Sequence, residues 1–344
     1  MATMKSNIES VWRQIEESIE AGDGRNGIIK RLIMPQWKNN LFLGVEIETG
    51  KRLFVFEAPY KVLRNLGALP QTNGFEASIR YLGDEQENYL SLFIIVKKTQ
   101  FHDLFVSLIK DILGHLGPQD TERSVEIVIS RLLRWQKFLE RFHFEGLGEE
   151  AQRGLFGELY FLNRLIEFGV NSHTVIRSWR GPERTVHDFI FQTCALEVKT
   201  SISKQHQKVY ISSERQLDNS QSGELYLCHF SLDNQSGLGF SLNQIIQVIR
   251  EKIDNAPLVT ELFEDKLFES GYLDIHSERY KVPVYSIREY NLFKVTEGFP
   301  RIVENDLIEG VGDVKYSIMI SECKHYLVQE NAVLSMIGDA ASYG

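Results

Sequence analysis

The chain has 344 residues, a net charge of -9 and the balance of apolar and charged residues of an ordinary globular protein. That length accommodates a large core and two subdomains, while the acidic balance argues against a free-standing protein that grips nucleic acid by bulk charge. No apolar run reaches the length of a membrane span, and residues 1–24 read as an acidic amphipathic helix without the apolar centre of a signal peptide.

From Gly27 to Lys98 the pattern is strand-rich, with β-type runs at 28–34, 41–48, 53–58, 75–82 and 89–96 and turn signals at Thr49-Gly50 and Gly83-Asp84. Two helices follow at 101–116 and 121–142, the first ended by Gly117-Pro118. Gly146-Leu147-Gly148 then separates an N-terminal strand-rich α+β domain, residues 1–145, from residues 146–344. The segment 148–168 reads as an amphipathic helix with Ala151, Leu155, Leu159, Leu162 and Ile166 on one stripe. Glu158 lies inside that stripe, where a carboxylate is costly unless a metal, a charge or a hydrogen bond compensates it. Gly154 and Gly157 each cost about 1 kcal/mol relative to alanine in a helix interior, which close packing of the helix on a sheet would explain.

A strand is expected at 174–179, then a loop with Gly181-Pro182, then two β-rich runs at 186–191 and 194–199. Strands at 209–212 and 225–232 and helices at 242–253 and 259–270 complete an α/β core with a mixed sheet. Gln192-Thr193 reads as a tight hairpin turn. If it closes symmetrically, Phe191 faces Cys194 and Asp188 faces Glu197. Opposed residues place their Cβ atoms about 4.5 to 5.5 Å apart on one face, so both carboxylates can share one cation. Alternation sends Glu197 and Lys199 to one face and Leu196 and Val198 to the other. Two carboxylates beside an ammonium suit Mg²⁺, which takes oxygen ligands and keeps several waters, with Mn²⁺ able to substitute. Such an ion activates water and polarises a phosphoryl oxygen. By themselves Glu197 and Lys199 read equally well as an ion pair in an ordinary sheet; Glu158 on an apolar stripe turns the balance toward a site.

Around this motif Arg177, Arg180, Arg184, Lys199, Lys204, Lys208 and Arg215 outnumber the acids, and Arg180, Arg184, Thr200, Lys204 and Lys208 are candidate DNA contacts. A second basic set at helical spacing, Arg131, Arg134, Lys137 and Arg141, reads as a solvated helix face in preference to a nucleic-acid track. Cys194, Cys228 and Cys323 lack paired metal-ligand spacing and fit a reducing cytoplasm. Asp313 precedes Glu322-Cys323-Lys324 by the interval that separates Asp188 from Glu197. Residues 314–321 read as one unbroken strand, which would hold those acids roughly 30 Å apart. Gly310-Val311-Gly312 is too short for a dinucleotide fingerprint, and no phosphate loop or nucleophile elbow is present, so ATP use is not expected.

Taken as an ensemble, five segments resemble the PD-(D/E)XK nuclease superfamily, and in particular the bacterial family catalogued as "PD-(D/E)XK motif protein". They are Gly154-Leu155-Phe156-Gly157-Glu158-Leu159, Trp179-Arg180-Gly181-Pro182, Asp188-Phe189, Glu197-Val198-Lys199-Thr200, and Ile211-Ser212-Ser213 leading to Gln216-Leu217. The resemblance is close over 146–217 and loose over nearly all the chain. It implies a restriction-endonuclease-like α/β fold, with a central mixed sheet flanked by helices in the order αβββαβ. It also implies that Asp188 and Glu197 bind the catalytic Mg²⁺, that Lys199 positions or activates water, and that Glu158 supports the metal site. His187 stands where the name-giving proline would be, a variable position with little bearing on the chemistry.

The implied activity is metal-dependent DNA endonuclease action in a restriction-modification or phage-defence system. The N-terminal domain would then serve recognition, docking or dimerisation. Paired cleavage of a duplex favours a homodimer, and a methyltransferase or an ATPase is an expected partner; no membrane is involved. The alternative is a noncatalytic DNA-binding or scaffold subunit of a defence complex. The sequence does not separate plain DNA from modified DNA or RNA as substrate.

Overall fold

A computed structural model describes residues 2–342 apart from 23–26, 65, 82–88, 143, 221–222 and 235–238. Internal packing divides the chain into two units, Met1–Glu145 and Gly146–Gly344. The first begins with helix α1 (Ala2–Glu20) and strands β1 (Ile28–Ile33), β2 (Asn40–Glu46) and β3 (Lys51–Pro59). The one-turn helix α2 (Tyr60–Leu63), strands β4 (Phe75–Arg80) and β5 (Tyr89–Val96), and helices α3 (His102–His115) and α4 (Thr121–Arg141) follow.

The strands form one antiparallel sheet in the order β1-β2-β3-β5-β4. Alternation in β3 and β5 gathers Leu53, Val55, Phe93 and Ile95 into one apolar cluster, as period-2 patterning requires. Helix α4 opens on Asp120, whose carboxylate accepts the Arg123 backbone N–H at 2.8 Å. The five strands and helices α3 and α4 lie within two residues of their expected bounds, whereas α1 ends at Glu20, four residues short of the pattern read over 1–24, and α2 is not among the expected elements; the Gly83-Asp84 turn lies outside the described residues. The helix face carrying Arg131 differs from expectation. Its guanidinium is paired with Asp111 on α3 at 2.8 and 2.6 Å rather than solvated, because a bidentate carboxylate partner lies on the neighbouring helix.

The second unit opens with α5 (Glu149–Glu167), α6 (Ser172–Ser178), and strands β6 (Phe189–Ile190), β7 (Cys194–Ser201), β8 (Lys208–Ile211), β9 (Glu224–Asp233) and β10 (Phe240–Ser241). Helices α7 (Leu242–Ile253) and α8 (Pro257–Glu269), strands β11 (Val284–Lys294) and β12 (Tyr316–Met319), and helix α9 (Glu330–Ser342) complete it. The main sheet is mixed, in the order β10-β11-β9-β7-β6, with β7 and β9 parallel and the other pairs antiparallel. Strand β8 pairs with β12 outside that sheet.

Helix α5 packs on one sheet face where Gly157 lets it approach: an ideal Cβ there would lie 2.4 Å from Thr200 Cγ2. Gly154 has nothing within 4 Å, so close packing accounts for one of the two helix glycines. On the opposite side Ala195, Leu227 and Phe293 join Val209, Ile211 and Ile318 of the small β8–β12 sheet in one apolar cluster. Burying such apolar area stabilises at roughly 25 cal/mol per Å², and it anchors β7, the strand that carries Glu197 and Lys199.

Three sequence expectations fail here for identifiable reasons. Residues 174–179, rich in β-branched side chains, are mostly helical: left-handed Gly169, with φ 99°, follows the C-cap of α5, and the Asn171 side chain caps α6 by accepting the Thr174 N–H at 3.2 Å. The run 186–191 keeps only two strand residues, because the Asp188 carbonyl turns to the amides of Arg180 and Gly181 at 2.6 and 3.1 Å. The run 314–321 is β12 followed by a 3-10 turn at Ile320–Tyr326 rather than one strand; Asp313, Glu322 and Lys324 are all exposed. Among the described residues no helix is long and apolar enough to cross a membrane, and all three cysteines are free and buried.

Candidate active site

The β6–β7 hairpin pairs Phe189 with Leu196 and Ile190 with Ala195, so Asp188 and Glu197 are the next opposed positions along it. Asp188 enters as an anchor as well as an acid. Its Oδ2 accepts the Val198 N–H at 2.8 Å, and its own carbonyl is held by the Arg180 and Gly181 amides. Burial pushes its carboxyl above the usual range, against the opposing pull of Lys199 and the Val198 N–H.

Glu158 arrives from α5. Its Oε2 accepts the indole N–H of Trp179 at 2.7 Å. A Cβ on Gly181 would lie 2.3 Å from that same oxygen and 3.2 Å from Asp188 Oδ1, so both carboxylates converge on the space that Gly181 leaves open. Burial first, and then the Asp188 charge, hold the Glu158 carboxyl well above its ordinary range, while the Trp179 N–H and Lys199 act the other way.

Glu197 is almost fully buried at 1 % exposure. Its Oε1 meets Lys199 Nζ at 2.8 Å, whereas Oε2 is buried with no hydrogen-bond partner. Burial and the neighbouring Asp188 push its carboxyl up to about 8. For Lys199 burial opposes the charge, but Glu197 and Asp188 hold the ammonium above the usual lysine range. Lys199 also donates to Gln216 Oε1 at 3.2 Å, and Gln216 is fixed by the Ser212 N–H and hydroxyl at 2.9 and 3.0 Å.

Three carboxyls thus share one ammonium, and the buried Glu197 oxygen without a partner is one that a proton, a water or a cation would satisfy. An oxygen-only donor set with one unpartnered carboxylate oxygen fits a hard divalent cation such as Mg²⁺. Among the described residues no three His, Cys, Asp or Glu side chains form a ready-made ligand cage, and the Lys199 pair occupies one Glu197 oxygen. The donors fit a cation that keeps part of its water shell, not one enclosed by protein.

The candidate DNA contacts are dispersed. Arg180 pairs with Glu183 at 2.8 Å, and Arg184 is exposed in the left-handed region at φ 56°. Thr200 turns its methyl toward α5 at Gly157. Lys204, 3.8 Å from Asp233, lines a cavity of about 540 Å³ with His206, Gln207, Glu289, Asn291 and Lys324, and Lys208 is exposed on β8. His187 is buried, and burial lowers its imidazole pKa.

Trp179, Gly181 and Gln216 stand in the recognisable segments of the sequence, but residue order alone assigns them no role. Their signal was present: an indole, a glycine and an amide flanking an acid cluster are the residue types that orient carboxylates and ammonium groups.

A family model described as "Putative PD-(D/E)XK family member, (DUF4420)" matches residues 8–321. The chain belongs to this family. The match spans nearly the whole chain and places it among proteins of nuclease-like fold. No curated protein and no solved structure matches it.

Proposed function

We propose that this PD-(D/E)XK family member is a metal-dependent DNA endonuclease. The observation that carries the proposal is the convergence of Glu158, Asp188 and Glu197 beside Lys199, with one Glu197 oxygen buried and unpartnered. In this reading α5, β6, β7, β9, α7 and β11 supply the αβββαβ core. Asp188 and Glu197 hold Mg²⁺, with Mn²⁺ able to replace it, and Glu158 supports the same centre. When bound, the ion supplies Lewis acidity to the scissile phosphate and lowers the pKa of a coordinated water.

The protein's own contribution is placement and charge. Gln216 and Glu197 fix the Lys199 ammonium from two sides, so it can orient the attacking water and stabilise the developing negative charge without reorganising. Asp188, tied to the Val198 amide, keeps its carboxylate in one orientation. Exposed Lys204 and Lys208, with Arg180 and Arg184, provide candidate backbone contacts to DNA. A restriction or phage-defence setting, a homodimer, and a methyltransferase or ATPase partner belong to the same proposal, as does a recognition, docking or dimerisation role for residues 1–145.

A second reading, a noncatalytic DNA-binding or scaffold subunit, is favoured by the Lys199–Glu197 pair, which ties up one proposed metal ligand. The two part company in one experiment: DNA binding in Ca²⁺ by fluorescence anisotropy beside plasmid cleavage in Mg²⁺ or Mn²⁺. Binding with metal-dependent nicking supports the nuclease; binding without cleavage in any metal supports the subunit.

A further inference from the structure

Lys266 is a buried lysine that the proposed chemistry does not use. It lies on the inward side of α8 with Val259, Phe263 and Leu267 and is 4 % exposed. Its ammonium donates to the Trp179 carbonyl oxygen and, at 2.9 Å, to Glu183 Oε1. Although burial opposes ionisation of Glu183, Lys266 and Arg180 hold that carboxyl below its usual range. A buried ammonium is tolerated only when it is paired and hydrogen-bonded. Here the pairing ties α8 to both ends of segment 179–183.

That segment is the one that touches the acids. Trp179 Nε1 donates to Glu158 Oε2, the Arg180 and Gly181 amides donate to the Asp188 carbonyl, and Gly181 faces both carboxylates. Phe263, nearly one turn before Lys266, packs against the Trp179 ring with centroids 6.2 Å apart. Helix α8 therefore grips Trp179 by carbonyl and ring, while the indole N–H and the next two amides hold Glu158 and Asp188.

We propose that Trp179 is a positioning residue for the acid centre and that Lys266 acts through it. The indole commits one Glu158 oxygen and leaves the other for a divalent cation, and Lys266 fixes the segment from which the indole reaches. This inference rests on the metal-centre reading above. A lysine that merely completes the core would lower stability without a selective effect on cation affinity.

The test is Mn²⁺ binding to the full chain without nucleic acid, by electron paramagnetic resonance, beside thermal melting. It compares the wild type with Asp188→Ala, Trp179→Phe, Lys266→Met, Lys266→Arg and the Trp179→Phe/Lys266→Met double variant. The wild type is expected to hold Mn²⁺ at a site lost in Asp188→Ala. Trp179→Phe keeps the ring but not the N–H, and is expected to weaken binding about 10- to 100-fold, the range for an outer partner of a metal ligand. Lys266→Met weakens it in the same direction, the double variant is no weaker than the poorer single one, and Lys266→Arg, which retains charge and donors, recovers most of the affinity. Binding by Trp179→Phe within about twofold of the wild type, or losses that multiply in the double variant, overturns the proposal and leaves the metal centre standing. A wild type without an Asp188-dependent Mn²⁺ site overturns the metal-centre reading and this inference together.

Discussion

Replacing Gly181 with alanine probes the geometry of the acid centre through a single methyl group. An ideal Cβ there would lie 2.3 Å from Glu158 Oε2, 3.0 Å from Glu158 Cδ and 3.2 Å from Asp188 Oδ1. Non-bonded heavy atoms settle at about 3.5 to 4.0 Å, so the Glu158 carboxylate must retreat by about 1 Å. That retreat is resisted, because the same oxygen is held by Trp179 Nε1 at 2.7 Å. Gly181 does not occupy the left-handed region, so the alanine backbone is unstrained and the effect belongs to the methyl group. Overpacking of this kind costs about 1–3 kcal/mol, and a misplacement of about 1 Å at a reacting centre costs about 10²-fold in rate. Gly181→Ala is therefore expected to cleave plasmid roughly 100-fold more slowly at saturating Mg²⁺, with a modest drop in melting temperature. Cleavage within about threefold of the wild type, with unchanged stability, would refute the claim that Glu158 and Asp188 are held across this space.

Three further outcomes follow from the same geometry. With its carboxyl raised from 4.5 to about 8 by burial and Asp188, Glu197 stays protonated in the folded chain over a range where the unfolded chain has lost the proton. Its contribution to metal-free stability is thus full below about pH 4.5, falls by at most about 1.4 kcal/mol per pH unit and is gone above about pH 8. Chemical denaturation across that window should show Glu197→Gln with a shallower decline than the wild type; an equal or steeper decline contradicts the assignment. Gln216→Leu releases one side of Lys199 and leaves the exposed Ser212 N–H to water. A hydrogen bond to a charged group contributes about 1.5–3 kcal/mol, so loss of the one to the Lys199 ammonium is expected to lower cleavage about tenfold or more, and an unchanged kcat would remove Gln216 from the site. Lys204→Ala and Lys208→Ala are each expected to lower the salt dependence of DNA binding by about one phosphate contact while leaving melting untouched; an unchanged slope excludes that residue from the DNA interface.

The sequence was most legible where structure is local. The antiparallel sheet of the first unit follows from short continuous apolar runs such as Leu53 to Phe56 in β3 and Leu92 to Val96 in β5, which are buried on both faces and too short for helices. The β6–β7 register was legible too, because a two-residue turn constrains which residues oppose. Residues 174–179 misled because Val175 and Ile176 favour strands by propensity, while the cap at Asn171 and burial of both side chains favour a helix. Lys266 was hidden for a different reason. A lysine at helical spacing from Val259 and Phe263 reads as a polar interruption until a carbonyl oxygen some 87 positions away in the chain is found against its ammonium. Long-range partners of this kind leave no periodic signal.

The most direct measurement is cleavage of supercoiled plasmid by the purified full chain with Mg²⁺, with Mn²⁺ and with EDTA, beside Asp188→Ala and Lys199→Ala variants whose folding has been checked by melting. The metal-centre account requires nicked or linear product only with a divalent cation, and none from either variant. Cleavage that persists in EDTA, or that survives both substitutions, would contradict it.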